Sequence, residues 1–341
     1  METILMLTAV EADGALPKAA QEALGAARDL AGSLAGSTLA VGLWGADVKP
    51  AADAIAGCGA AKVYGAVSPD LAPARYATDA AAAEALAKAA GATIVVAPGT
   101  SRMARVMPGV SHRLGGKADT HVTAIEAGPD GVAATRWAYR QRIETVVSRT
   151  ARPWILLLDP GCRAPAAAVP GSATVEAVAV ALPPEAKRTV VTGVQAPPAE
   201  KQTIRPDAKL LFVAGAGWTK KQAGGAPRLP EAERLILDFL AKTGASLGSS
   251  KSLTDQAGEG QAVLGFLSHL NQIGQTGATP RHPKGLATCC HGEEPHTVGW
   301  RFITQRRAIN LDPNCGWARG KADVLYVADV FEVMAKVNAL L

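Results

Sequence analysis

The chain has 341 residues, of which 48% are hydrophobic and 4% aromatic, enough for about two domains of 100–200 residues each with sizeable cores. Its net charge is +5, but the lysines and arginines are spread along the chain without a clustered stripe or an aromatic platform, which argues against nucleic-acid binding. The five cysteines, an odd number without regular spacing, argue against a secreted disulfide framework.

The start, Met1-Glu2-Thr3-Ile4-Leu5-Met6-Leu7, turns from acidic directly into a short strand and lacks the charged region and long apolar core of a signal peptide. No apolar run approaches the roughly 18 to 20 residues that span a bilayer. The expectation is a cytoplasmic protein without membrane insertion. Residues 3–9, 38–44, 61–65, 93–97 and 154–158 are short apolar runs, and the early ones alternate with alanine-rich stretches at 15–34, 50–57 and 77–90 of helical composition. Such alternation predicts a parallel sheet flanked by helices. Residues 120–126 and 132–139, joined by Ala127-Gly128-Pro129-Asp130-Gly131, read as a hairpin added to that sheet. The fold class expected is therefore α/β, with an N-terminal domain that is parallel-rich but carries a hairpin.

Prolines at Pro165, Pro183-Pro184, Pro197-Pro198 and Pro206 break the pattern, and place a linker at 196–207 between domains at 1–195 and 208–341. Beyond it, a strand at 209–213 enters Ala214-Gly215-Ala216-Gly217, and 230–242 reads as a helix with Leu235, Ile236, Phe239 and Leu240 on one face. Gly215-Ala216-Gly217 is followed at the third position by Lys220, so the dinucleotide fingerprint fails and an ordinary nicotinamide site is disfavoured. Strands at 286–288, 307–310 and 324–327 alternate with helices expected at 259–271, 296–304 and 329–340, giving a second, doubly wound α/β domain. No Gly-x-Ser-x-Gly elbow or Walker loop supports hydrolase or triphosphatase chemistry.

Within the second domain, Gly274 and Gly277 bracket Gln275 and Thr276, a setting in which backbone amides can closely approach a planar ligand or a phosphate, although many such tetrads are simple turns. Thr243 to Lys251, Gln272 to Gly277, His296-Thr297-Val298-Gly299-Trp300, Ile309-Asn310-Leu311-Asp312-Pro313 and Ala322-Asp323 follow in an order that resembles the alpha subunit of electron transfer flavoprotein. In the first domain, Ala97-Pro98-Gly99-Thr100-Ser101-Arg102 through Pro108 and Ala118-Asp119 are similar to that family's signature.

The resemblance implies that the C-terminal domain carries FAD. The chain would relay single electrons from a partner flavin or iron–sulfur dehydrogenase, such as a demethylase of methylated amines, in a heterodimer with a beta-type subunit. It places Gln272, Gly274, Gln275, Thr276 and Gly277 beside the cofactor, with the Thr276 hydroxyl near the flavin ring. His296 would lie near the pyrimidine carbonyl and the turn His291-Gly292 beside the pyrophosphate. Ser250 and Lys251 would approach the cofactor, with Lys251 supplying a point charge in place of the family's planar arginine. Asn310 and Asp323 would serve the adenosine half. Arg102, Arg105, Arg136 and Arg140 belong to a domain that would contact the beta-type subunit.

Two departures stand out. The family's Ser-Gly-Gly-Arg-Gly loop is here Ala214-Gly215-Ala216-Gly217-Trp218, without the arginine, and its Ser-Gly-Ala-Ile-Gln-His turn is His291-Gly292-Glu293-Glu294-Pro295-His296, with two carboxylates. Two other readings stay open. One is a structural, non-redox subunit of a dehydrogenase complex that keeps the fold without FAD. The other is a metal-binding subunit using Cys289, Cys290 and His291, whose adjacent cysteines lack Cys-x-x-Cys spacing. Cys58 and Cys162 read as structural.

Overall fold

A computed structural model describes residues 1–129, 131–139, 143–193, 204–205, 208–250, 252–255, 262–274, 277–288, 302–314 and 322–341. The chain divides into two compact units, Met1–Val194 and Gln195–Leu341.

In the first unit, the apolar runs form β1 (Thr3–Ala9), β2 (Thr38–Gly45), β3 (Lys62–Val67), β4 (Ile94–Pro98) and β8 (Trp154–Leu158). These strands are near-continuously apolar because helices cover both faces of the sheet. Helix α1 (Lys18–Ser33) packs on one side, with Ala20, Ala23, Leu24, Ala27 and Leu30 buried against β1 and β2. The other side is covered by α3 (Tyr76–Ala89) and α4 (Ser101–Arg113), and the short α2 (Lys49–Ala54) follows β2. The hairpin is β5 (Lys117–Gly128) and β6 (Gly131–Ala138), and the chain continues it as a third antiparallel strand, β7 (Ile143–Ser148). With β9 (Val175–Ala177), the nine-stranded order is β7-β6-β5-β8-β4-β1-β2-β3-β9.

Two buried carboxylates pin this unit. Asp79 accepts the indole N–H of Trp44 at 3.0 Å and two guanidinium bonds from Arg102 at 2.9 and 2.6 Å. Asp119 accepts the indole N–H of Trp154 at 2.9 Å and is paired with Arg149, with Arg136 at 3.5 Å. Burial opposes ionisation of Asp119, but the hydrogen bonds from Arg149 and Trp154 outweigh it and hold the carboxyl below its usual range.

The second unit is built on β10 (Leu210–Ala214), β11 (Ser246–Ser249), β12 (Lys284–Thr288), β13 (Gln305–Asn310) and β14 (Val324–Val327), all parallel and ordered β11-β10-β12-β13-β14. Helix α5 (Leu229–Thr243) buries Leu235, Ile236 and Phe239, and ends at Gly244, whose φ of +62° is the left-handed cap that glycine adopts without strain. One turn of helix, α6 (Ser252–Asp255), follows β11, and α7 (Val330–Leu340) starts where the Asp329 carboxylate caps Phe331 and Glu332. The two longer helices pack on each other.

Two expected helices fare differently. Over the described part of 259–271 there is no α-helix: Leu264–Leu267 is a turn and His269–Asn271 a single 3-10 turn. Gly258, Gly260 and Gly265 each cost about 1 kcal/mol in a helix interior, and Leu264 reaches the core from a loop instead. Most of 296–304 lies outside the described residues, and 302–304 is not helical.

Candidate functional site

In a parallel sheet whose strand order reverses next to the first strand, ligands bind outside the carboxyl ends of the strands at the reversal. In the second unit that point lies between β10 and β12, which flank the crossover out to β11.

The loop after β10 is closed. Gly215 donates to Thr288 O at 2.8 Å, and Ala216, Gly217 and Trp218 are all buried. The Trp218 indole N–H donates to Thr288 Oγ1 at 2.8 Å, and that hydroxyl donates on to Val213 O at 2.8 Å. The ring meets Phe331 edge-on at 4.8 Å. In place of the arginine loop that the resemblance implies, there is an indole locked into the core.

The end of β11 is different. Ser249 and Ser250 are buried, Ser250 donating its N–H to Ala214 O at 3.0 Å. The Ser249 hydroxyl is buried and has no hydrogen-bond partner among the described residues; a buried hydroxyl that found none at all would cost about 1–3 kcal/mol. Alongside it runs the segment from Gln272, paired in parallel with Ser249 and tied by Ile273 N–H to Ser249 O at 3.2 Å. The segment is delivered there by Asn271, whose amide donates to Leu247 O at 3.4 Å while its carbonyl caps Ser268 N at 2.9 Å.

From Gln272 the chain turns back on itself. Gly274 has φ +119°, a conformation strained for any other residue, and donates to Ala278 O at 2.9 Å, while Ala278 donates to Gln272 O at 2.9 Å. A Cβ added at Gly277 would stand 2.1 Å from Gln272 O. Both glycines of the expected tetrad are therefore required by the backbone itself.

Ser250, Gln272, Gly274 and Gly277 are brought together at the carboxyl end of β11. Asn310 is buried as the last residue of β13, on the same edge of the sheet, beside a small cleft of about 20 Å³ that it shares with Gly217 and Asp329. Asp323 is not with them. It immediately precedes β14, at the amino edge, where its carboxylate accepts from Arg306 N at 2.6 Å and pairs with the Arg306 guanidinium at 3.4 Å. Those contacts hold its carboxyl below the usual range, the backbone bond foremost. Lys251, Gln275, Thr276, His291, Gly292 and His296 lie outside the described residues, as do Cys289, Cys290, Glu293 and Glu294. Among the described residues no cluster of three His, Cys, Asp or Glu side chains could hold a metal.

A model of the electron transfer flavoprotein domain matches residues 4–183. The chain belongs to the electron transfer flavoprotein domain family. Comparison with curated proteins gave no match. The family match covers nearly all of the first unit and ends before the second, so the candidate site described above lies outside it. No helix among the described residues is long and apolar enough to cross a membrane.

Within the matched flavoprotein domain, the described members of the basic series make contacts inside the unit. Arg102 is spent on Asp79, Arg105 donates to Ala74 O at 2.9 Å, and Arg136 donates to Thr120 O at 3.0 Å beside Asp119. Arg140 lies outside the described residues. Two residues of consequence, Ser249 and Trp218, were missed from sequence. The signal for Trp218 was its place after a strand and a glycine turn, where a large apolar side chain must fall back onto the core. Nothing in the sequence marks the Ser249 hydroxyl as buried without a partner among the described residues.

Proposed function

We propose that the second unit holds FAD and that the chain is an alpha-type subunit of an electron transfer flavoprotein. It would work in a heterodimer with a beta-type subunit, passing single electrons from a partner dehydrogenase to an acceptor. The observation that carries the reading is the carboxyl end of β11, where the buried Ser249 hydroxyl has no partner among the described residues and Ser249 pairs with Gln272, which leads into a turn that requires glycine at 274 and 277. A buried polar atom near a glycine-bearing turn suits a hydrogen-bonding group that the backbone can approach.

FAD in this place would supply the one-electron chemistry. The chain's own groups bind and orient. Gly274 and Gly277 would let the backbone approach, Gln272 and Ser250 stand at the end of β11, and Gln275 and Thr276 would lie beside the flavin. Lys251 would bring positive charge, His291 and Gly292 would lie by the diphosphate, and His296 would bias the potential. Asn310, three strands away in the order of the sheet, stands about 14 Å across at the usual strand spacing, a separation that suits the adenosine half of an extended dinucleotide. Asp323 has no part in this arrangement.

The deciding experiment is the absorption spectrum of the purified heterodimer, before and after addition of FAD. Flavin bands at one equivalent per heterodimer support the reading. A colourless complex that takes up no FAD, yet still sustains its dehydrogenase, favours a non-redox assembly subunit. One observation favours that second reading: the loop after β10, which in a dinucleotide site approaches phosphates, is filled here by Trp218.

A further inference from the structure

We propose that the face of the second sheet beside α7 binds an amphiphilic anion, a carboxylate with an apolar tail of about ten carbons, at a site separate from the carboxyl edge. The groove there has a volume of about 420 Å³, within the range of roughly 300–1,000 Å³ typical of small-molecule pockets. The register explains why it exists. Leu286 pairs with Arg307 and Ile309 with Tyr326, so Lys284, Leu286, Arg307, Ile309 and Tyr326 share one face. Parallel sheets are ordinarily covered on both faces. Strand β12 lies between β10 and β13, yet Leu286 is only half-buried, because α7 leans on α5 instead of spreading over β13 and β14.

The groove is two-sided in its chemistry. Leu286 and Ile309 form its floor, and Val333 and Val337 of α7 its wall. At the rim stand Lys284 and Arg307, both exposed. Neither has a carboxylate partner among the described residues. Arg307 donates to the Tyr326 hydroxyl at 3.3 Å, and the acid nearest in sequence to β14, Asp323, is paired with Arg306, one residue earlier and on the opposite face. Two cations without a carboxylate partner among the described residues, beside an apolar trough, are complementary to a single anionic head on an aliphatic body. A neutral or cationic amphiphile would leave that charge uncompensated.

The test is isothermal titration of the full-length chain with decanoate, with decyltrimethylammonium as the cation of equal tail length. The native chain should bind one equivalent of decanoate and not the cation, with added FAD leaving the affinity unchanged. Lys284→Glu combined with Arg307→Glu, both surface changes, should weaken decanoate at least tenfold and admit the cation. Val337→Trp should abolish decanoate binding by filling the trough. The proposal is overturned if decanoate does not bind, if it binds equally well after the charge reversal or after Val337→Trp, or if the native chain takes the cation as tightly. It is also overturned if the chain self-associates through this face, seen as a concentration-dependent dimer that Val337→Trp abolishes and decanoate does not.

Discussion

Gly277→Ala isolates the turn at the end of β11 from the rest of the unit. The new methyl group would lie 2.1 Å from Gln272 O and 2.5 Å from Gln272 C, so the two backbone segments must separate by roughly 1 Å to reach ordinary contact. The separation falls on the hydrogen bonds that close the turn, Ala278 N–H to Gln272 O at 2.9 Å and Gly277 N–H to Gly274 O at 3.2 Å. At about 1 kcal/mol for each bond lost, the closed turn is disfavoured by about 2 kcal/mol, or roughly thirtyfold in population. If only the closed turn accepts the cofactor, the apparent dissociation constant for FAD rises by the same factor. The assay is fluorescence titration of FAD into the apo-heterodimer, with urea unfolding in parallel. Gly277 is exposed and outside the core clusters, so the loss of unfolding free energy should not exceed the sum for the two bonds, about 2 kcal/mol. Gly265→Ala, where an added methyl meets nothing within 4 Å, is the matched control and should bind FAD normally. An unchanged FAD affinity in Gly277→Ala, or an equal loss in Gly265→Ala, would refute the placement of the cofactor at this turn.

Three further outcomes follow from the same geometry. Asp119→Asn should lower the stability of the first unit by about 2–3 kcal/mol, since it strips a buried partner from Arg149, which recovers part of its hydration because it reaches solvent; denaturant unfolding measures the loss. Because the folded carboxyl titrates below its unfolded value, its contribution is fully present above the usual carboxylate range and disappears as pH falls through the lower, folded value. Unfolding followed from pH 7 downward should therefore show wild type and Asp119→Asn converging in stability only in that acid region. Trp218→Phe removes the donor to Thr288 Oγ1 and should cost about 1–2 kcal/mol, seen in the unfolding transition of the second unit alone. Thr276→Met should shift the flavin potential in spectroelectrochemistry by roughly 40 mV if a net hydrogen bond of about 1 kcal/mol is lost, with no shift expected of a structural subunit.

The first unit was largely legible in its sequence. Runs such as 3–9 and 154–158 are apolar at nearly every position, which in an alternating pattern with helices admits little besides buried parallel strands, and they recur as β1 and β8. Helix α4 was not legible because Pro108 and Gly109 stand in its interior, yet Met103, Val106, Met107 and Val110 on the buried face and the Thr100 cap hold it. Strand β7 escaped because its exposed Val146 and Glu144 alternate on a surface no apolar pattern reports. In the second unit, the turn around Gly274 and Gly277 was visible as a motif, but its neighbours were not. That Ser249 pairs with Gln272 depends on a strand order that only the folded sheet establishes.

Asp323 shows where similarity of local motif and physical placement separate. Asn310 is the last residue of one strand and Asp323 immediately precedes the next, and in a parallel pair a residue that ends a strand and one that leads into its neighbour must lie on opposite edges. No rotamer change carries a short carboxylate along the length of β14 to reach a ligand at the carboxyl ends. The same reasoning bears on charge at the flavin. With Gly217 buried and Trp218 locked to Thr288 and Phe331, the loop after β10 presents no cation, and the lysines that follow, Lys220 and Lys221, are exposed. An ammonium in water interacts with a charge 4 Å away by only about 1 kcal/mol, against about 4 kcal/mol near a protein surface of lower effective dielectric. Solvated lysines are thus a poor source of charge for a ring bound at this edge, and if FAD is held as proposed, stabilisation of its reduced form would have to come from the β11 side, where Lys251 is the candidate.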